Sequence, residues 1–217
     1  MIDTILSVDL DFLTQPYYQG NHYVEHDWKS YSDFMATAKQ WITPEEILHQ
    51  LGLKEKIRGD SVASDKQVLF SWEKTVSKSI VQSPCRILTF DAHLDMYAVN
   101  DEGDYYDYFS LGNFSDYDSN LAPFKYGWID RIDWIIPDYF TLEDIERQFT
   151  FIKPIYKDGD LYELYVSDNF RVWVKIIKYS NLIMEEYDIK YFTLVLNQQM
   201  CKTNDDMIQK FSNFIKK

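Results

Sequence analysis

Two short acidic runs hold the residues best suited to chemistry. In Ile87-Leu88-Thr89-Phe90-Asp91-Ala92-His93-Leu94-Asp95 an apolar, β-branched run ends directly in Asp91, and His93 and Asp95 follow at alternate positions. Alternate residues of an extended segment point the same way. Three oxygen or nitrogen donors drawn from so short a stretch suit a hard or borderline divalent cation. The same residues also fit a plainer role, with Asp91 and Asp95 capping the next element and His93 a satisfied polar side chain. The second run, Ile5-Leu6-Ser7-Val8-Asp9-Leu10-Asp11-Phe12, repeats the pattern. Carboxylates set where an apolar residue would continue a buried strand are costly unless cations meet them. An N-cap or turn pair is the alternative for Asp9 and Asp11. Each plain role would have to hold separately, so the coincidence favours a shared ligand set for two ions with bridging carboxylates.

A full dinuclear site needs a further ligand. Glu73, in Leu69-Phe70-Ser71-Trp72-Glu73-Lys74, follows an apolar run and is a candidate. It fits equally as a first-turn helix residue favoured by the dipole. His22 and His26 lie in a Tyr-rich loop and are open between ligand, proton shuttle and surface roles. His49 reads as structural. There is no Gly-rich phosphate loop, no Gly-X-Ser-X-Gly elbow and no cysteine pair with zinc spacing. Cys85 and Cys201 have no histidine partner nearby in sequence, which ranks thiol nucleophilic catalysis low.

The elements that must position these residues are legible as short apolar strands at Thr4 to Val8, Arg86 to Phe90, Ile132 to Ile136 and Tyr191 to Leu196. Helical patterns are expected over Tyr31 to Trp41, from the capped start Thr43-Pro44-Glu45-Glu46, over Glu73 to Val81, Leu142 to Phe149 and Asn204 to Ile215. Lys216 and Lys217 are expected to complement the dipole of the last helix. Alternating strands and helices predict an α/β fold of three α/β/α layers on a mainly parallel sheet. Residues 149–177 alternate with period two and break at Lys157-Asp158-Gly159-Asp160 and Ser167-Asp168-Asn169, predicting an antiparallel extension. Ligands of open α/β sheets sit beyond the carboxyl ends of the strands, where both acidic runs emerge.

The chain has 217 residues and a formal net charge of −13, and no composition shift or linker divides it, so a single domain over 1–217 is expected. With 46% hydrophobic residues it is no disordered segment. The acidic balance argues against a nucleic-acid partner; it fits cationic substrates, but its default reading is solubility, and charge alone does not decide between them. No bilayer-spanning stretch and no signal sequence is visible, and two cysteines are too few for a disulfide framework. A cytoplasmic protein without a membrane partner is expected.

Together the two motifs resemble those of the ureohydrolase superfamily of arginases, agmatinases and related metal-dependent deacetylases. Asp91-Ala92-His93-Leu94-Asp95 is similar to its Asp-Ala-His-X-Asp run, and Ser7-Val8-Asp9-Leu10-Asp11 to its Ser-X-Asp-X-Asp run. The likeness extends most closely to the small arginase-like group that includes peptide arginases, through Gly112-Asn113-Phe114, Gly127-Trp128-Ile129, Trp134-Ile135-Ile136-Pro137, and Phe192 to Asn197 followed by Cys201. In ordinary arginases the Asp-X-Asp run follows the histidine-bearing run, whereas here it comes first, which looks like a circular permutation. The family's other histidine ligand, upstream of the central motif, is matched in position by Glu73.

What the resemblance implies is an arginase-like, manganese-dependent hydrolase with two Mn2+ per chain. Asp9 and Asp91 would bridge the ions, Asp95 and Glu73 would complete one site, and His93 with Asp11 the other. Asp95 and His93 would serve catalysis, Asp95 by taking the proton as a tetrahedral intermediate collapses. The implied partner is an arginine-containing precursor peptide of a natural-product pathway, its arginines converted to ornithine with release of urea. Glu25, Asp27, Asp116 and Asp118 are candidates for gripping the guanidinium. An agmatinase, an amide deacetylase and a non-catalytic metal-binding module are the competing readings.

Overall fold

A computed structural model describes residues 2–15, 39–94, 96, 120–148, 153–167, 170–196 and 205–217. Its strands are β1 (Asp3–Asp9), β2 (Thr14–Gln15), β3 (Lys39–Gln40), β4 (Ile57–Val62), β5 (Cys85–Phe90), β6 (Ile129–Ile136), β7 (Lys153–Asp158), β8 (Leu161–Ser167), β9 (Phe170–Lys178), β10 (Asp188–Val195) and β11 (Ile215–Lys216). Nine of them form one sheet in the order β11-β4-β10-β1-β5-β6-β9-β8-β7, while β2 and β3 pair separately. From β11 to β9 every pairing is parallel; β8 and β7 add antiparallel neighbours. The fold is thus α/β on a mostly parallel sheet, with the expected antiparallel extension turning at Gly159.

Central strands of a parallel sheet are covered on both faces and so read as continuous apolar runs. β1 is such a strand, buried from Thr4 to Asp9 between β10 and β5. Its alternate residues feed different cores. Ile5 packs with Ile87, Ile132 and Trp134; Leu6 and Val8 pack with Leu88, Phe90 and Ile135. Helices cover both faces. The first core takes Val68, Leu69 and Trp72 from α2 (Asp65–Ser77) and Ala122 from α3 (Ala122–Lys125), with Ile145 of α4 (Leu142–Gln148) packed against it. The second takes Ile47 and Leu51 from α1 (Pro44–Leu51) and Phe211 from α5 (Asp205–Ser212).

α1 begins and ends where its sequence dictates. Thr43 accepts from the Glu46 amide while the Glu46 carboxylate accepts from the Thr43 amide, Pro44 occupies the first turn, and Gly52 closes the helix at φ 58°. Thr141 and Asp144 repeat the reciprocal cap before α4.

Four expectations need correction. The helix expected over Glu73 to Val81 is α2, which starts at Asp65 and stops at Ser77, just before Ser79 turns to φ 53°. The last helix stops at Ser212, because Ile215 and Lys216 leave it to pair with Ile57 and Arg58 of β4. Lys216 therefore sits in a strand, and Lys210 is the basic residue of that helix's last turn. Lys39 and Gln40, at the end of the helix expected over Tyr31 to Trp41, are extended and pair with Gln15 and Thr14; the rest of that span, up to residue 38, lies outside the described residues. β4, which carries Arg58 and Asp60, was not anticipated. Its Gly59 is required by contact, since a Cβ there would meet the Phe192 carbonyl oxygen at 1.9 Å.

Candidate metal centre

The site begins with register. β1 and β5 are parallel neighbours with Val8 level with Phe90, so Asp9 and Asp91 leave the sheet side by side at its carboxyl edge. After β1 the next strand of the large sheet is β4, on one side; after β5 it is β6, on the other. In open α/β sheets the strand ends where the strand order changes direction in this way are the usual ligand position.

Each tip bends by the same device. The Asp9 carboxylate accepts from the Asp11 amide at 2.9 Å, and the Asp91 carboxylate accepts from the His93 amide at 2.7 Å. An aspartate that binds the amide two residues on makes a compact turn. The two turns place Asp11 and His93 in equivalent positions, and their side chains meet, with Nδ1 of His93 2.8 Å from Oδ2 of Asp11. Asp11 Oδ1 also accepts from the Ala92 amide at 3.3 Å, tying one tip to the other. Behind them the rings of Phe12 and Phe90 pack edge to face with centroids 5.4 Å apart. Tyr179 packs against both rings, and burial first, then the nearby Glu46 and Asp138 charges, pushes its hydroxyl up to about 12.

Asp11, Asp91 and His93 each offer a donor atom, and the three lie within 4.8 Å of one another. His93 Nδ1 stands 2.8 Å from Asp11 and 3.9 Å from Asp91. Around an ion with bonds of about 2.1 Å, neighbouring ligand atoms of an octahedron stand about 3 Å apart and opposite ones about 4.2 Å. The 3.9 Å spacing falls within that span and the 2.8 Å spacing, a direct hydrogen-bond distance, lies just below it; two carboxylates with one imidazole form a hard, oxygen-rich donor set. The residues present fit a divalent cation. Asp9, Asp11 and Asp91 are all at least 96% buried by their exposures of 2%, 4% and 4%, while the His93 side chain is 33% exposed and marks the open side.

Of the anticipated site residues, the structure brings together Asp11, Asp91 and His93, with Asp9 beside them holding the Asp11 turn. It does not bring Glu73 to the cluster. Glu73 is exposed on α2, because Val68, Leu69 and Trp72 turn inward and Trp72 Nε1 donates to Thr193 at 3.1 Å. Glu73 also lies about 12 Å along the helix from Asp65. Asp95, His22, His26, Glu25, Asp27, Asp116 and Asp118 lie outside the described residues, as does Cys201. His49 is exposed in the last turn of α1. Cys85 is buried, and burial pushes its thiol up to about 12, with the Asp130 and Asp3 charges adding to it.

Two residues at the site had no role assigned from sequence. Trp134 Nε1 donates to the Asp91 carbonyl at 2.9 Å, and Asn120 Nδ2 donates to the Leu94 carbonyl at 2.9 Å. A signal existed for the first, since a Trp inside a buried strand must find an acceptor for its N–H. No protein-family model matches the chain, and no curated protein or solved structure matches it.

Proposed function

We propose that this chain is a metal-dependent hydrolase that converts arginine residues of a peptide to ornithine with release of urea, on an arginase-like, circularly permuted α/β scaffold. The observation that carries the reading is the meeting of two separately encoded strand tips, with Asp11, Asp91 and His93 converging within 4.8 Å. Those three residues hold a divalent cation, manganese being favoured by the hard donor set. Asp9 and Asp95 are the proposed ligands of a second ion. The cation supplies Lewis-acid activation of water at neutral pH.

The chain's own residues do the rest. The net charge of −13 favours the approach of a guanidinium, and Glu25, Asp27, Asp116 and Asp118 are the candidates to grip it. Without the cation the Asp11 carboxylate orients the His93 ring through Nδ1, and with the cation in place the two groups would face the ion as ligands instead. In the reaction the bond between Nε and the guanidinium carbon breaks. The water oxygen goes to that carbon as urea, and both water hydrogens end on the ornithine nitrogen.

Incubating the purified protein with manganese and an arginine-bearing peptide should remove about 42 Da per arginine by mass spectrometry, the mass of the CH2N2 lost with urea formation. No mass loss and no urea, with manganese bound, would overturn the guanidino reading. A one-ion hydrolase of the agmatinase or deacetylase kind is the second reading, favoured by the placement of Glu73 away from the cluster. Elemental analysis finding one metal per chain, with acetate or a small amine as product, would support it.

A further inference from the structure

The turn from Asp91 to Leu94 is tethered at four successive residues. The Asp91 carbonyl accepts from Trp134, the Ala92 amide donates to Asp11, the His93 amide donates to Asp91, and the Leu94 carbonyl accepts from Asn120. The two inner tethers come from the candidate ligands themselves. The two outer ones come from residues that are not candidate ligands and are themselves buried, Trp134 at 0% and Asn120 at 4% exposure.

The outer pair acts at the point where the sheet stops supplying partners. The last matched pair of β5 with β6 is Phe90 with Ile135, so the Asp91 carbonyl falls beyond the ladder. A buried carbonyl there needs a donor. Trp134 sits opposite Thr89, one row back, and its indole N–H reaches forward to the Asp91 carbonyl. The chain can therefore leave the sheet at Asp91 and bend sharply, which is what turns His93 towards Asp11. Asn120, just before α3, holds the other end of the same bend.

We infer that Trp134 and Asn120 are positioning residues of the cation centre, gripping the Asp91 and Leu94 carbonyls so that Asp91 and His93 are aimed at Asp11. The inference rests on the metal reading above. Outer partners that orient ligands typically govern metal affinity by about 10–100-fold.

The test compares manganese affinity by titration calorimetry with thermal stability of the metal-free protein, in the full chain and in Trp134→Phe, Asn120→Ala and Phe140→Leu. Trp134→Phe keeps a buried ring but removes the N–H, and should weaken manganese binding per folded molecule about tenfold. Asn120→Ala should do the same, and serves if Trp134→Phe does not fold. Phe140→Leu removes the ring that packs edge-on against Trp134 at 6.4 Å and leaves the N–H donor in place. It should lower the melting temperature without weakening affinity. If all three variants lose stability and none loses affinity, the tethers only satisfy strand-end carbonyls and the inference falls while the metal reading stands. If the unmodified chain binds no manganese, both fall.

Discussion

The sheet buries carboxylates in two places, and treats them in opposite ways. Asp133, in the middle of β6, has no exposure at all. Arg131, two residues earlier on the same face, grips it with Nε and with Nη2 at 2.8 Å; Arg86 Nε lies 3.9 Å away and the Tyr187 hydroxyl donates at 2.8 Å. The charge is answered by cations that the chain itself carries. At the carboxyl edge, Asp11 and Asp91 instead converge on one another and on an imidazole, with Asp9 shaping the turn. Bringing like charges together inside a protein is unfavourable unless something positive joins them. Asp133 is arranged for the fold. The strand tips leave room for a cation that the chain does not itself supply in the proposed reading.

Breaking the internal group should produce the largest effect. Asp133→Asn leaves Arg131 and Arg86 beside a neutral partner in a mostly buried position, and removing one member of such a group costs about 3–5 kcal/mol. The lower end applies, because the two guanidinium side chains keep 25% and 17% exposure. Urea unfolding should show that loss, with manganese affinity of the folded protein unchanged. A loss under about 1 kcal/mol would mean that water already carries the two charges.

The tips should respond in reverse. Asp91→Asn and Asp11→Asn keep size and one acceptor oxygen, enough for the His93 amide at position 91 and the Ala92 amide at position 11, while the new NH2 at position 11 can donate to His93 Nδ1, so metal-free stability should move by less than about 1 kcal/mol, or rise as repulsion is relieved. Manganese affinity should fall about 100-fold, equivalent to about 2.7 kcal/mol. The linked observation is thermal. Manganese at about 100 times its dissociation constant should stabilise the unmodified chain by about 2.7 kcal/mol and either variant far less. Equal stabilisation of all three would place the cation elsewhere and dissolve the contrast between the two regions.

The same contrast explains what could be read from the sequence. Asp9, Asp11, Asp91 and His93 stood out because a buried strand should not end in charge, and that rule depends only on local pattern. α1 was legible at both ends because its caps are local too. β4 was not, since Arg58 and Asp60 break its apolar run; its place beside β10 depends on Gly59 admitting the Phe192 carbonyl, a contact between residues far apart in the chain. The start of α2 at Asp65 was missed although Ser64 at its N-cap, with Gln67 three residues on, is a local start signal. Glu73 lay upstream at a suitable distance, but its orientation follows from Trp72 reaching Thr193 on β10. Asp133 and its two arginines were equally invisible, because Arg86 is brought to them by strand pairing. Local patterns marked residues that could do chemistry; only tertiary register decides which of them meet.

Tyr187 offers the finest probe of the internal group. Its hydroxyl donates to Asp133 at 2.8 Å, and burial first, then the Asp133 charge, raises its pKa well above the ordinary value. A folded-state pKa raised above the unfolded one means that the neutral hydroxyl contributes stability below about pH 10, and that this contribution is lost as pH climbs towards the folded value. Over that window the loss approaches about 1.4 kcal/mol per pH unit for a single group. Tyr187→Phe removes both the hydrogen bond and its titration. At neutral pH it should cost about 1.5 kcal/mol, the low end for a bond to a charged acceptor, because Asp133 keeps both arginines. Above pH 10 the difference between the two proteins should shrink, since the unmodified chain pays to hold its hydroxyl neutral and the variant does not. Other tyrosines titrate in the same range, so the quantity to measure is that difference in unfolding free energy at matched pH. A gap that stays constant from pH 7 to about pH 11 would show that Tyr187 ionises as freely in the fold as outside it. The Asp133 group would then be held by its arginines alone.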